Sequence, residues 1–368
     1  MDLEAASERR LRELGLLIGP LDAGANDAIT DVPGVTVGHV TVWRDEPEPP
    51  DGRGIARTGV TVVVPGPPGL LFGEPAPAGV AVLNGSGELT GFIQVAEWGQ
   101  IETPVYLTST MAVGRVFDGA IATAVSADPR VGVEDVVIPV VGECDDSDLS
   151  DPRVVQVEAA DVGAALASAS SGPVAEGCVG AGTGMMSFDW KAGIGTASRV
   201  APRIRATLGV LVLANYGSAP RLRIDGVPVG DSVRPPGWEQ RPSAGSCIGI
   251  VATDAPLRGD QLERIARRAG LGLARTGGTA NHGSGEIFLA FSTARGTRAP
   301  ETSRQQIEIV PDAELDELFA ATVDATEEAV LNALWAAVDT TGRDGRVAYA
   351  LPRPEILALL EQHGRIRG

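Results

Sequence analysis

The sequence predicts an α/β protein in which stacked β-sheets are covered by helices. Three observations lead there. Short β-branched runs, alternating or fully apolar, recur along most of the chain, as strands do. A few amphipathic stretches at helical spacing are interleaved with them, the longest over residues 312–338. No internal repeat and no long linker divides the 368 residues, so one domain spanning 1–368 is expected.

Taken in order, residues 3–17 carry a helical pattern that ends near Gly19-Pro20. The turn Pro33-Gly34 leads into an alternating strand at 35–40, and the acidic, Pro- and Gly-rich residues 45–57 read as an exposed hairpin loop. Strands are expected at 58–65, 79–83, 104–110 and 136–141, and helices at 113–125 and 154–168. A fully apolar strand over 207–217 contains Asn215 near its end. Beyond residue 246 come a buried strand, a helix at 258–269, a polar loop at 276–286, a strand at 287–291 and helices at 312–338 and 354–362.

Composition excludes several function classes. A net charge of -18 opposes nucleic-acid binding, which needs Lys and Arg clusters to neutralise phosphates. It suits cationic or amine substrates, and equally plain solubility. No run of about 18 apolar residues is present, so no membrane span is expected. The start Met1-Asp2-Leu3-Glu4 lacks the order of a signal peptide, which predicts a cytoplasmic protein. Cys144, Cys178 and Cys247 are odd in number and lack metal-type spacing, so free thiols are expected. Histidines occur only at 39, 282 and 363, too few for a zinc site or a comfortable histidine triad. No metal or cofactor is expected. The glycine-rich run 177–186 lacks the Gly-Lys-Ser/Thr ending of a phosphate loop, so no nucleotide site is expected there.

The chain is organised around Pro242-Ser243-Ala244-Gly245-Ser246-Cys247-Ile248-Gly249-Ile250-Val251. A turn-forming stretch opens at Gly245–Ser246 into an apolar run, which places Ser246 first on a buried strand. Ser246 is either a turn residue capping that strand or a nucleophile whose own upstream peptide bond is its first substrate. The acidic stretch Glu143-Cys144-Asp145-Asp146-Ser147-Asp148 and the strand-ending Asn215 carry similar double readings, solvated loop or turn against functional donor.

Several patches together decide the matter in favour of function. They include Ile29-Thr30-Asp31-Val32-Pro33-Gly34-Val35, Leu83-Asn84-Gly85-Ser86-Gly87-Glu88-Leu89-Thr90-Gly91 and Gly193-Ile194-Gly195-Thr196-Ala197-Ser198-Arg199. Val212-Leu213-Ala214-Asn215-Tyr216-Gly217, Gly245-Ser246 and Gly283-Ser284-Gly285-Glu286-Ile287 complete the set. Running in order from about residue 26 to 293, they resemble the DmpA-type L-aminopeptidase/D-amidase-esterases and β-peptidyl aminopeptidases. The resemblance implies a four-layer αββα sandwich, similar to N-terminal nucleophile hydrolases but differently connected. It also implies a precursor that cuts itself at Gly245–Ser246 into chains 1–245 and 246–368, which assemble as several processed pairs. Ser246 is then the nucleophile, Ser284 and Glu286 its companions, Asn215 the oxyanion donor and Glu143 the holder of the substrate's ammonium. One departure stands out: relatives often carry a tyrosine or another aromatic just after that glutamate, where this chain has Asp145-Asp146-Ser147-Asp148.

The chemistry of the residues agrees with that implication. A serine hydroxyl needs an adjacent base, and with histidine scarce the α-amino group released at Ser246 can serve, since such groups titrate at about 7.7–8.0. Self-cleavage is then also activation, because an amide nitrogen is no base. The expected substrates are peptides, amides or esters with a free amino end. Two other readings remain at this point: an acyltransferase similar to the ornithine acetyltransferases, which usually carry threonine as nucleophile, and an uncut binding protein of the same fold.

Overall fold

The computed structural model describes residues 9–239, 244–294 and 308–366. Among the described residues nine longer strands and one two-residue strand build two sheets; the longer ones are β1 (Thr36–Asp45), β2 (Ile55–Val64), β3 (Ala76–Gly85), β4 (Val105–Ser109), β5 (Val140–Cys144), β6 (Ile194–Ala201), β7 (Ala206–Asn215), β8 (Ala244–Thr253) and β9 (Gly283–Ser292). The helices that pack on their faces include α1 (Val113–Ala127), α2 (Ala159–Ala167), α3 (Gly259–Arg275) and α4 (Asp316–Trp335).

The smaller sheet has the order β1-β2-β4-β5, antiparallel except for the parallel pair β4–β5. The larger runs β3-β9-β8-β7-β6, with the short strand Gln100–Ile101 beyond β3, and only β8–β9 is parallel. Val63, Leu107 and Val140 of the first sheet pack on Leu211, Leu213, Ile248, Ile250, Leu289 and Phe291 of the second. Side chains one residue out of phase point the other way, as the two-residue period of a strand requires. Val60, Val62, Tyr106 and Val141 meet Val116 and Ala120 of α1 and Val162 and Ala165 of α2. On the far side Val210, Val212, Val251 and Phe288 meet Leu262 and Ile265 of α3 and Ala325 and Ala329 of α4. The layers are therefore helix, sheet, sheet, helix, the αββα sandwich expected. Strands buried on both faces read as unbroken apolar runs, which is why 207–217 lacks alternation. α4 approaches β6 so closely that a β-carbon at Gly195 would stand 1.9 Å from the Ala329 carbonyl oxygen.

Several boundaries differ from expectation. Residues 1–8 of the 3–17 pattern lie outside the described residues, and the rest holds only the single turn Arg12–Leu14. There Leu11, Leu14, Leu16 and Ile18 anchor an irregular segment in the core. The strand expected at 136–141 is β5, because pairing with β4 runs from Val140 to Cys144 while Val136 and Ile138 are exposed. α2 starts at residue 159, not 154, where the Glu158 N–H donates to the Asp161 carboxylate at 2.8 Å, a local cap that sets the first turn. The loop expected to run to Glu286 ends at Gly283, because β9 pairs with β8 through that stretch. Ser246 is accordingly the third residue of its strand and not the first. Residues 242 and 243 of the central stretch lie outside the described residues. Cys144, Cys178 and Cys247 are free thiols, as expected. No helix among the described residues is long and apolar enough to cross a membrane.

Ile250 lies fully buried in the layer between the sheets. An Ile250→Ala substitution is expected to lower the unfolding free energy by about 2–5 kcal/mol through lost burial and a residual cavity. Urea unfolding of the variant and parent, with unchanged m-value, checks it.

Candidate active site

Strands β3, β4, β5 and β7 end, and β8 and β9 begin, around one cleft of about 730 Å³. Its walls include Ser246, Gly245, Asn215, Glu143, Ser86 and Thr110. Four of the six residues that the sequence singles out thus meet in one place.

Ser246 shares the face of Ile248 and Ile250, which turns its side chain toward the layer between the sheets. It is 4% exposed and sits in register with Asn215 on β7 and Gly285 on β9. The residue before it must be glycine. Gly245 has φ +154, and a β-carbon there would lie 2.1 Å from the Asn215 carbonyl oxygen. The neighbouring thiols offer no rival nucleophile, since burial pushes both Cys144 and Cys247 well above the ordinary thiol range.

Asn215 is clamped from both ends of its amide. Its Oδ1 accepts from the Met186 N–H at 2.9 Å, and its Nδ2 donates to the Asp145 carbonyl oxygen at 2.9 Å. A primary amide has two N–H donors, so one donor remains after the bond to Asp145.

Glu143 stands across the cleft on β5, buried to 4% exposure. One carboxylate oxygen accepts from the Glu88 N–H at 2.9 Å, and the other from the Thr110 hydroxyl. Burial raises its pKa, and these two donors pull it back down. The Glu88 loop is pinned in turn by Asn84, whose Nδ2 donates to the Asn281 carbonyl at 2.7 Å. Thr110 and Glu88 gave no local signal, because their function as supports depends on strands more than 30 residues away.

Ser284 and Glu286 do not line the cleft. They lie on β9 in register with Gly245 and Cys247, flanking the Ser246 backbone. The Ser284 hydroxyl donates to Glu286 Oε1. Glu286 borders a second cavity of about 250 Å³ with Leu83, Tyr216 and Leu273, on the side covered by α3. Burial raises its pKa, partly offset by the Ser284 hydroxyl.

The remaining cleft wall was not foreseen. Trp238 donates its indole N–H to Asp189 Oδ2 at 2.6 Å, and Tyr349 joins from near the C-terminal end. The 145–148 loop lacks an aromatic, yet the cleft has two from elsewhere in the chain. No histidine is among the cleft residues. His39 is half-buried with its Nδ1 2.9 Å from the Thr61 hydroxyl, and the partial loss of solvent brings its pKa down to about 4. Among the described residues no cluster of three or more His, Cys, Asp or Glu side chains is arranged to hold a metal ion.

Comparison with known proteins places this geometry. The profile of peptidase family S58 matches residues 27–348. The chain belongs to peptidase family S58. Beta-peptidyl aminopeptidase BapA of Sphingosinicella xenopeptidilytica is 40% identical over 96% of this chain and 91% of its own length. Among solved structures, a Burkholderia sp. beta-aminopeptidase superposes with a TM-score of 0.87 at 42% identity, covering 97% of this chain and 99% of the other. The L-aminopeptidase D-Ala-esterase/amidase of Ochrobactrum anthropi gives 0.88 at 38% identity, with 97% and 99% covered. That protein is described as a prototype of the serine aminopeptidases and a new variant of the Ntn hydrolase fold. The S58 chain described here is thus an aminopeptidase of the hydrolase class, in the fold that its residues implied.

The tight seat of Gly245 sets a local test. Gly245→Ala forces a β-carbon onto the β7 backbone in a conformation that L-residues rarely adopt, which is expected to cost about 1–3 kcal/mol. A lowered thermal midpoint relative to the parent checks it.

Proposed function

We propose that this S58 member is an aminopeptidase made as a precursor, which activates itself by cutting at Gly245–Ser246 and then uses Ser246 as an N-terminal nucleophile. The observation that carries the reading is the meeting of Ser246, Gly245, Asn215 and Glu143 on one cleft. In the first event Ser246 Oγ attacks the Gly245 carbonyl carbon, the C–N bond breaks, and the serine nitrogen leaves as an amine. Water then hydrolyses the ester, giving a chain that ends in the Gly245 carboxylate and a second that begins with Ser246.

In turnover the freed amine takes the proton from Ser246 Oγ as the hydroxyl attacks the carbonyl of a substrate's first residue. The remaining N–H of Asn215 stabilises the oxyanion. The amine returns its proton to the leaving nitrogen, and water releases the acyl group. Ser284 and Glu286, one strand over, act on the new terminal ammonium rather than on Oγ, since they flank the Ser246 backbone. Glu143 pairs with the substrate's own ammonium, which confines cleavage to the chain end. The substrates are peptides, amides or esters with a free amino end. Beta-amino residues belong among them, given the names of the relatives at 38% and 40% identity. The working form is a homo-oligomer of processed pairs in the cytoplasm.

Hydrolysis of an amino-acid p-nitroanilide tests the assignment. Ser246→Ala is expected to abolish it, and retained turnover in that variant overturns the mechanism. Asn215→Ala should remain folded with kcat lower by about 10²–10³, the usual effect of losing one oxyanion donor.

Glu143 gives a pH signature. Its raised pKa means that protonation, and loss of ammonium binding, begins at higher pH than for an ordinary carboxylate. KM for a peptide should therefore rise as pH falls through that value, and Glu143→Gln should raise KM and flatten its acid-side dependence. KM measured across the pH range in both proteins checks this.

A further inference from the structure

The chain leaving β3 ties the two sheets together beside the cleft. β3 pairs with β9 through Gly85–Gly285 and Asn84–Glu286, but Ile287 pairs with Val82, so Leu83 is an extra residue on that strand. An inserted residue of this kind bends a strand and re-aims the side chains beyond it. Here Asn84, half-buried, reaches the turn that opens β9. Its Nδ2 donates to the Asn281 carbonyl at 2.7 Å and to the Ser284 carbonyl, which uses both N–H groups of the amide. The Ser86 N–H adds a longer bond to the Ser284 carbonyl, at 3.3 Å.

A few residues on, the same segment is fastened to the facing sheet. The Glu88 N–H donates to Glu143 Oε1 at 2.9 Å. Leu89 bridges to Gly142, the Thr90 N–H donates to the Val141 carbonyl at 2.9 Å, and the Val141 N–H donates to the Thr90 hydroxyl at 2.9 Å. Residues 84–90 thus form a strap, held to the turn before β9 by Asn84 and to β5 by Thr90, with the bond to Glu143 between the two fastenings.

The strap fills the gap between that carboxylate and the strand beside the nucleophile. A β-carbon on Gly87 would stand 3.0 Å from Glu143 Oε1 and 3.6 Å from the Gly285 α-carbon, and one on Gly285 would stand 2.4 Å from the Ser86 carbonyl oxygen. Gly285 is the residue in register with Ser246. A displaced strap therefore takes its N–H away from Glu143, whereas Ser284 stays in the β8–β9 ladder whatever the strap does.

We infer that Asn84 is a positioning residue for substrate binding: its amide fastens the strap that brings the Glu88 N–H to Glu143, and so aims the carboxylate that receives the substrate's ammonium. Asn84 is not itself among the residues lining the cleft. The inference rests on the ammonium role proposed for Glu143.

A double-mutant cycle read in KM for an amino-acid p-nitroanilide tests it, and KM has the advantage of not depending on the active fraction of a preparation. Asn84→Ala is expected to raise KM about tenfold with kcat within about threefold, because a misaimed carboxylate weakens binding in the ground and transition states alike. In the Glu143→Gln background the same substitution is expected to change KM by less than about twofold, since its route of action is gone. An equal rise in both backgrounds overturns the inference and leaves the role of Glu143 intact. So does a fall in kcat at unchanged KM, which would put Asn84 behind Ser284 instead. If Glu143→Gln alone keeps the parental KM, the ammonium reading falls and this inference with it. Should Asn84→Ala fail to accumulate as folded protein, Asn84→Ser, whose shorter side chain cannot span both carbonyls, carries the same comparison with the same expected and contrary results.

Discussion

Strand β8 is held on both sides, antiparallel to β7 and parallel to β9, and a slip of one residue in either pairing reverses the face that Ser246 presents. That double pairing opposes Ser246 to Asn215 and puts Gly285 on its other flank. Buried Ile248, Ile250 and Ala252 resist the slip, because they fill the layer between the sheets only in this register. The same pairing draws the Asn215 carbonyl against Gly245 so tightly that no side chain fits. The proposed nucleophile, donor and scissile glycine are thus placed by one register, and Glu143 lines the cleft from the facing sheet.

Around the cleft, carboxylates are taken out of water. Glu143, Glu286 and Asp146 are each raised by burial, and their surroundings differ. Glu143 is met by a backbone N–H and a hydroxyl and Glu286 by the Ser284 hydroxyl, whereas Asp146 Oδ2 has no hydrogen-bond partner among the described residues. The partners match the parts proposed for Glu143 and Glu286. Glu143 lines the cleft, where it is proposed to pair with a substrate's ammonium. Glu286 stays behind the sheet, close to the Ser246 backbone.

Much of this was legible in the sequence. The apolar runs at 58–65 and 207–217 marked buried strands because period-two patterning survives or vanishes according to how many faces are covered. The patches around Asn215, Gly245-Ser246 and Gly283-Ser284-Gly285-Glu286 pointed to the family that the profile match shows, and the structure brings Asn215, Gly245 and Ser246 to one cleft. What escaped has a physical pattern. The beginning of β9 at Gly283 is fixed by pairing with β8, while Gly, Ser and Glu by themselves suit a loop. Val136 and Ile138 have strand-like side chains but no neighbouring strand to pair with. The division of Ser246 and Glu286 between opposite faces of the sheet depends on strand alternation within the unbroken β8–β9 register, which neither stretch reveals alone. Trp238 and Tyr349 join the cleft from separate stretches, so no local spacing announces them.

The central claim is that Ser246 becomes a chain terminus. The direct measurement is the denatured intact mass of the purified protein. Cleavage at Gly245–Ser246 divides the 37.9 kDa chain into pieces of about 25 and about 13 kDa, in proportion to their lengths. Two such masses, with serine as the first residue of the smaller, are the predicted result. A single undivided mass from enzyme that hydrolyses aminopeptidase substrates at full rate would contradict the account, because Ser246 would then have no free amine to act as its base.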